Sequence, residues 1–502
     1  MTRHNPPDSA LPKAWAALPL ALFVVNALAH WAYTMDDAYI FLRFGDNLAA
    51  GHGYAFNPGE TLEGTTSILW TLVAALLAKL GLAGPIPLKA IGFLAGAATV
   101  LAVFLCPPGA ARGVGSLVAA LLLAAYVPFA ILAVSCMETS AAALCVLMGC
   151  AGALAAEAKR RRAGAVWFAL AFLARPDAAI WWALPLGLWI LDIARARDVR
   201  SRVAPVAWLV ATLAVVTAWR WFTFGDVVPN PAHIKASVSA DTLAKGIEMM
   251  GAWLRTQGMI VAVAAALVAA AMRAAPRSAA LAALLFGAYL VAIGQENMST
   301  FFRFHMPVAP VVFALAGVGA ATMLAARPHA RVAVVAALVA FVLGGAWTAW
   351  QYRTNPLAEF QLTVTLPEYG RGVNETYRAF GEELARIAPP GALVASMDVG
   401  AIGYYARRPI LDLYGLNDRA IATIFGRMKH TPDRDAQRAL YRSYADEVFA
   451  RTPDFFVDTW IPKIIRDDER FARCYAPVAL SREYVFDPRA GTRVGLFRRT
   501  CP

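Results

Sequence analysis

Long apolar runs separated by short polar stretches fill the first 350 residues of the chain. The first extends from about Ala14 to Tyr33. Later runs lie near 67–82, 86–106, 114–134, 138–156, 163–174, 178–193, 203–222, 252–271, 279–294, 306–326 and 332–350. About 20 apolar residues cross a bilayer, so most of these runs predict transmembrane helices. After about residue 351 the pattern becomes mixed. It predicts a helix over about 374–388, strands at Ala392–Ser396, Ile410–Leu413 and Asp454–Asp458, a helix near 433–450, and a hairpin within 475–497. The fold class is therefore mainly α. A polytopic transmembrane helical bundle of about 11 membrane segments occupies 1–350, and a C-terminal extracytoplasmic α/β domain occupies 351–502.

Composition narrows the class. The chain is 59% hydrophobic and 16% charged, whereas soluble domains are about half apolar and about a quarter charged. That balance excludes disorder and a soluble enzyme, which would have to expose large apolar patches. The net charge of +12 is not gathered on one face or tail, so no nucleic-acid partner is expected. The cations instead cluster between apolar runs: Lys159–Arg162, Arg195 to Arg202, Arg273 with Arg277, and Arg327 with Arg331. Cytoplasmic loops carry such excess. With the N-terminus also inside and no cleavage pattern before the first run, the remaining loops and the tail fall outside. Parity then requires 67–82 to lie along the outer face, within a first external loop spanning 34–85. The run 163–174 covers only about 18 Å at 1.5 Å per residue. It predicts a short helix that ends at Pro176, with its broken backbone turned to a cavity. Four cysteines lie in apolar runs and read as packing residues. Cys474 and Cys501 lie in the polar tail and can pair in an oxidising compartment. No metal-ligand spacing is present, and no cofactor is expected.

Acidic residues are distributed with a bias of their own. Of the 15 acids before residue 351, 11 lie in loops assigned outside, from Asp36 and Asp37 to Glu296. The rule for cations does not require this, so the outer face has a use for carboxylates. In the first loop Asp36, Tyr39, Arg43, Asp46 and Asn47 share one helical stripe opposite Ile40, Phe41, Leu42 and Phe44. This predicts an amphipathic interfacial helix, stopped at Gly51-His52-Gly53, with Ser67 among the candidate caps of the next. Two adjacent carboxylates at a membrane boundary can take a proton from a hydroxyl, or they can simply cap the helix. Arg175-Pro176-Asp177 at a broken helix places charge at depth, which costs about 2.5–3.5 kcal/mol and so marks a site or an ion pair with Asp177 or Glu138. His233 and Lys235 in a Pro-rich loop, and Arg303 among aromatics, complete the set. The reading that joins them is one outward cavity in which cations hold a phosphate leaving group and a carboxylate acts as base. No P-loop or GxGxxG fingerprint appears, so an activated sugar would have to arrive on a membrane lipid.

These residues also carry a resemblance. Asp36-Asp37-Ala38-Tyr39-Ile40 with Arg43, Gly51-His52-Gly53, Phe56–Glu60 and Glu63–Thr66 resembles the first loop of the GT-C superfamily. It most resembles integral-membrane terminal β-arabinofuranosyltransferases. Met137-Glu138-Thr139, Ala174–Asp177, Gly225-Asp226 to Lys235, Arg303-Phe304, and the tail segment Asp398–Tyr405 with Asp412–Leu416 are similar to later motifs of that group. The resemblance runs in order along nearly the whole chain. It implies a GT-C-like catalytic domain and a polyprenyl-phosphate sugar donor, with decaprenyl-phosphoryl-arabinofuranose as the implied form. Transfer would invert the sugar onto an acceptor hydroxyl (of a glycan, lipopolysaccharide or protein) at the outer face of the inner membrane. It also implies that Asp36 or Asp37, not separable here, is the base. Arg43, Glu138, Arg175, Asp177, His233, Lys235 and Arg303 are the donor-phosphate or substrate-binding candidates. Pro231 stands where a small polar residue is expected, and members of the group use other lipid-linked sugars. Asp398, between a strand and Gly400, lacks the glycine spacing of a nucleotide site, so acceptor binding or shielding of the cavity is the better expectation for the tail. The competing reading is a glycolipid transporter or flippase, for which paired broken helices or inverted repeats would speak.

Overall fold

The computed structural model describes residues 11–108, 113–195, 200–235, 239–294, 301–357, 363–431 and 433–501. Glu296, Arg3 and Arg197 lie outside the described residues, as do the side chains of Arg200 and Lys235. The chain forms two compact units. One comprises 1–31, 89–216 and 237–354, and the other comprises 32–88, 217–236 and 355–502.

The first unit is helical. Six described helices in the chain are long and apolar enough to cross a membrane, or seven if a bent pair is one span, so the protein is multi-pass. The expected count of about 11 is not confirmed; four further apolar helices among the described residues have 10–17 residues. The run 114–134 is the bent pair, Val114–Ala125 and Val127–Ala133, turned by 66°. Pro128 lies in the first turn of the second piece, where a missing N–H costs nothing. The run 252–271 belongs to a longer stretch broken between Ala240–Arg255 and Met259–Ala271, with Gln257 and Gly258 both at positive φ. One side chain joins the two breaks. The Gln257 amide donates to the carbonyls of Ala125 (2.7 Å) and Phe341 (3.1 Å) and accepts from Val127 N–H (3.2 Å). Backbone groups freed at a break are thus satisfied inside the protein, as an apolar setting demands.

The helix expected over 163–174 begins earlier, at Ala158, and has 17 residues. Lys159–Arg162 are good helix formers and make its first turn rather than a loop. It ends, as read, at Arg175, whose backbone is extended before Pro176. It packs on Thr139–Ala153 through Gly152 and Gly164. A Cβ on Gly152 would stand 2.5 Å from the Gly164 Cα.

In the second unit, helix Ala38–Ala49 is followed by Ile68–Lys79, which Ser67 caps through Trp70 N–H (3.2 Å). The first helix is not the interfacial one expected. Residues Ala38–Gly45 are buried on every side, because segments distant in sequence cover the polar stripe. Tyr39 packs against Tyr404 and Tyr405, its ring tilted to both, and Gly45 presses on Ala74.

The rest of this unit is an α/β fold. Strands β1 (Val394–Ser396), β2 (Ile410–Asp412), β3 (Phe455–Asp458), β4 (Tyr475–Pro477), β5 (Tyr484–Asp487) and β6 (Thr492–Arg499) form a sheet in the order β2-β1-β3-β6-β4, with β5 paired to the start of β6. β1 is parallel to β2 and β3, while β6 is antiparallel to its neighbours. Helix Arg434–Ala450 closes the core with Tyr444, Ala445 and Val448 against Leu411 and Phe456. The helix expected at 374–388 is longer, running from Leu366 to Ile387 through a widened turn at Gly372–Tyr377. Cys474 and Cys501 form a disulfide. Removing it with Cys501→Ser is expected to cost about 3 kcal/mol, because it closes a loop of the unfolded chain. The check is the denaturation midpoint with and without reductant, which should differ only for the wild type.

Candidate functional site

In the second unit the Asp36 carboxylate is held by backbone. The N–H groups of Gly400 and Ala401 donate to its two oxygens at 3.0 and 2.8 Å. The approach is so close that a Cβ on residue 400 would stand 2.1 Å from the Asp36 carbonyl oxygen, which only glycine allows. Asp398 comes from the same corner of the chain. Its carboxylate accepts from the Tyr377 hydroxyl (2.9 Å), and its carbonyl accepts from the Ser396 hydroxyl (2.9 Å). Burial, then the nearby charge of Asp398, pushes the Asp36 carboxyl up to about 7 against the pull of the two N–H groups. Asp398 is raised by burial as well. Asp37 precedes the helix with helical backbone angles and makes no side-chain cap. The capping account of the pair therefore does not describe it.

The other loop residues in this unit are mostly joints. Arg43 uses four of its five N–H groups on Phe56 O, Gly403 O, Asn57 Oδ1 and Arg408 O, at 2.6–2.9 Å. It also lies over the Phe56 ring. A guanidinium so occupied holds the fold rather than a phosphate. Asn57 continues the joint through both partners at Ile410. Asn230 of the Pro-Asn motif donates to the carbonyls of Gly415 and Leu416 (2.7 and 2.9 Å). Glu63 and Arg220 form a buried bidentate pair at 2.8 and 3.0 Å, which the sequence pattern did not disclose because Arg220 sits inside an apolar run. His233 is exposed and pairs with Asp226 (2.8 Å), which Arg419 also approaches (3.6 Å). Lys235 closes the short helix Asn230–Lys235.

The first unit gathers a second ionic group. Glu138, almost fully buried, accepts from Arg175 (3.3 Å) and from Arg303 (2.8 and 3.1 Å). Arg175 also grips Asp177 with two bonds (3.1 and 2.7 Å). Both ion pairs expected for Arg175, with Asp177 and with Glu138, are thus present together, with Arg303 added. The Phe304 ring lies 4.5 Å from the Arg175 guanidinium and 5.9 Å from that of Arg303. Two residues from Arg303, buried His305 packs against Trp253, and neither of its ring nitrogens has a hydrogen-bond partner among the described residues. Nothing in the sequence singled it out beyond its place beside Arg303. Among the described residues no group of three His, Cys, Asp or Glu is placed to hold a metal.

The same unit contains an apolar cavity of about 1080 Å³, lined mainly by small side chains such as Ala262, Ala265, Gly319 and Ala337, with Arg255 and Gln257 also in its wall. Arg255 is exposed and makes no ion pair with a described residue.

Residues 368–497 match a family described as a domain of unknown function (DUF8728). No curated protein matches the chain. Among solved structures it is similar to ArnT from Cupriavidus metallidurans bound to undecaprenyl phosphate, with 14% identity, a TM-score of 0.60, and coverage of 98% of this chain and 99% of that one. It is also similar to the oligosaccharyltransferase AglB from Archaeoglobus fulgidus in complex with an inhibitory peptide and a dolichol-phosphate. There the identity is 12% and the TM-score 0.55, with coverage of 88% of this chain and 69% of that one. At such identities the likeness is one of fold alone, and that fold is the GT-C fold anticipated from the motifs.

Proposed function

We propose that the protein is a glycosyltransferase. It moves a sugar, arabinofuranose on the motif resemblance, from a polyprenyl-phosphate donor to an acceptor hydroxyl at the outer face of the cytoplasmic membrane. The observation that carries the reading is Asp36, a carboxylate fixed at both oxygens and poised near neutral proton affinity. A general base works best with a pKa near the operating pH. Asp36 takes the acceptor proton as that oxygen bonds to the sugar carbon. The bond from sugar to phosphate breaks on the opposite face, and the phosphate leaves on its lipid. Through the motif resemblance alone, Arg175 and Arg303, with Glu138 and Asp177, are assigned to the phosphate. His305, whose ring nitrogens have no partner among the described residues, is added to them, and His233 and Lys235 remain assigned through the motif alone. On this reading 1–350 is the catalytic membrane domain, and 351–502, which contains the DUF8728 match, is the periplasmic domain. The fold's likeness to ArnT, crystallised with undecaprenyl phosphate, supports a lipid carrier.

The apolar cavity suits the carrier's chain. Ala337→Trp, which fills its wall, is expected to raise the donor's KM about tenfold, a loss of about 1.4 kcal/mol of binding, with kcat little changed. Steady-state release of lipid phosphate from a synthetic polyprenyl-phosphate arabinose measures both, and it tests the function itself: no release with any acceptor class offered would dismiss the transferase. A glycolipid transporter is the second reading, favoured by the two broken helices that meet at Gln257. A transporter would move the intact lipid-linked sugar across proteoliposomes without releasing lipid phosphate.

A further inference from the structure

We infer that the C-terminal domain is part of the transfer machinery: its Asp398–Ala401 corner seats the Asp36 carboxylate through the N–H groups of Gly400 and Ala401, with Asp398 as a positioning residue of that corner. This rests on the reading of Asp36 as the base, and it gives a role to a domain described only as of unknown function.

The corner follows β1 and is built for close approach. Gly400 has no side chain where a Cβ would lie 2.1 Å from the Asp36 carbonyl oxygen and 2.4 Å from Oδ2. Its φ of −69° is not in the left-handed region, so the requirement argued here is one of space. Two N–H groups on two oxygens fix the plane of the carboxylate. Asp398 is itself immobilised by Tyr377 at its carboxylate and by Ser396 at its carbonyl.

A corner that served only to dock the domain would not need a second carboxylate beside the first. Like charges close together in a buried place oppose each other's ionisation, and an apolar side chain at 398 would pack without that cost. The groups acting on Asp36 are Asp37 on its own segment, Asp398 on the corner, and Tyr369 and Tyr377 from the 366–387 segment. The N–H pair favours the ionised form and the neighbouring carboxylates oppose it. Their balance leaves a fixed oxygen able both to take a proton and to release it.

The test uses the full chain in nanodiscs. In Asp398→Asn the opposing charge is gone, so the acid limb of the kcat/KM profile should move to lower pH by about one unit or more, with the donor's KM unchanged. Asp398→Ser should move it the same way and stands in if the asparagine variant fails to fold. Gly400→Ala should lower kcat at least ~100-fold, as loss of the base would. Hydrogen–deuterium exchange over 398–406 reads the seat without any catalysis. Asp36→Ala and Gly400→Ala should both speed it. An acid limb unmoved in folded Asp398 variants overturns the positioning role. Exchange unchanged in Asp36→Ala overturns the seat, and does so even if the wild type transfers no sugar and the transferase reading itself falls.

Discussion

Asp36→Asn is expected to lower the turnover of sugar transfer by at least ~100-fold, the usual worth of a general base, while the donor's KM stays within a few-fold. The amide has the carboxylate's shape but cannot take the hydroxyl proton. It can also accept from only one of the two N–H groups of Gly400 and Ala401 that now share the carboxylate. Asp37→Asn should cost less, since no side-chain cap or backbone cradle depends on that carboxylate. The wild-type enzyme should show the matching pH dependence. Asp36 is raised to about 7, so the active, ionised form is lost as pH falls below that value. There kcat/KM should drop about tenfold per unit. Steady-state kinetics of lipid-phosphate release between pH 5 and 9 checks both. Full activity in both asparagine variants removes the base from this loop, and loss confined to Asp37→Asn moves it by one residue.

The second large effect is structural. Arg220→Met is expected to destabilise the protein by about 3–5 kcal/mol, because it leaves Glu63 charged, buried and unpaired. The pair is bidentate and both partners are nearly shut off from solvent, at 5% and 2% exposure. The Glu63 carbonyl also accepts from Asn230 N–H (2.9 Å), and the Asn230 side chain continues to Gly415 and Leu416. One ion pair thus ties three separate stretches of the second unit together. The double variant Glu63→Gln with Arg220→Met removes both charges and should recover part of the loss. Unfolding of the purified protein in detergent, followed for the two single variants and the double, gives the coupling. Additive losses would mean that the pair contributes nothing of its own.

Hydropathy foretold what depends on local pattern. Apolar runs became helices, Ser67 became a cap, and the alternation in the tail became β1, β2 and β3 close to where it was read. Helix boundaries were less legible. Lys159–Arg162 look like a loop by charge, yet they extend the helix to Ala158, since charge does not prevent helix formation and Lys and Arg favour it. The breaks at Tyr126 and Gln257 lay inside runs that hydropathy cannot divide. The polar stripe on 38–49 had the spacing of a membrane-surface helix. Its burial followed from Tyr404, Tyr405 and Gly403, over 350 residues away.

The chemistry divided in the same way. The types of group present and their order along the chain were fixed by sequence: paired acids in the first loop, a broken helix with Arg175 and Asp177, an arginine among aromatics at 303, and Asp398 with Gly400 after a strand. The partner of each group was decided only by tertiary structure. It turned Arg43 from a candidate phosphate ligand into a joint, gathered Arg175 and Arg303 on Glu138, and set Asp398 and two backbone N–H groups around Asp36. The reason is physical. An apolar run or a helix cap is specified by neighbours a few residues away, whereas the proton affinity and orientation of a buried carboxylate depend on charges and donors that only the folded chain brings within a few ångströms.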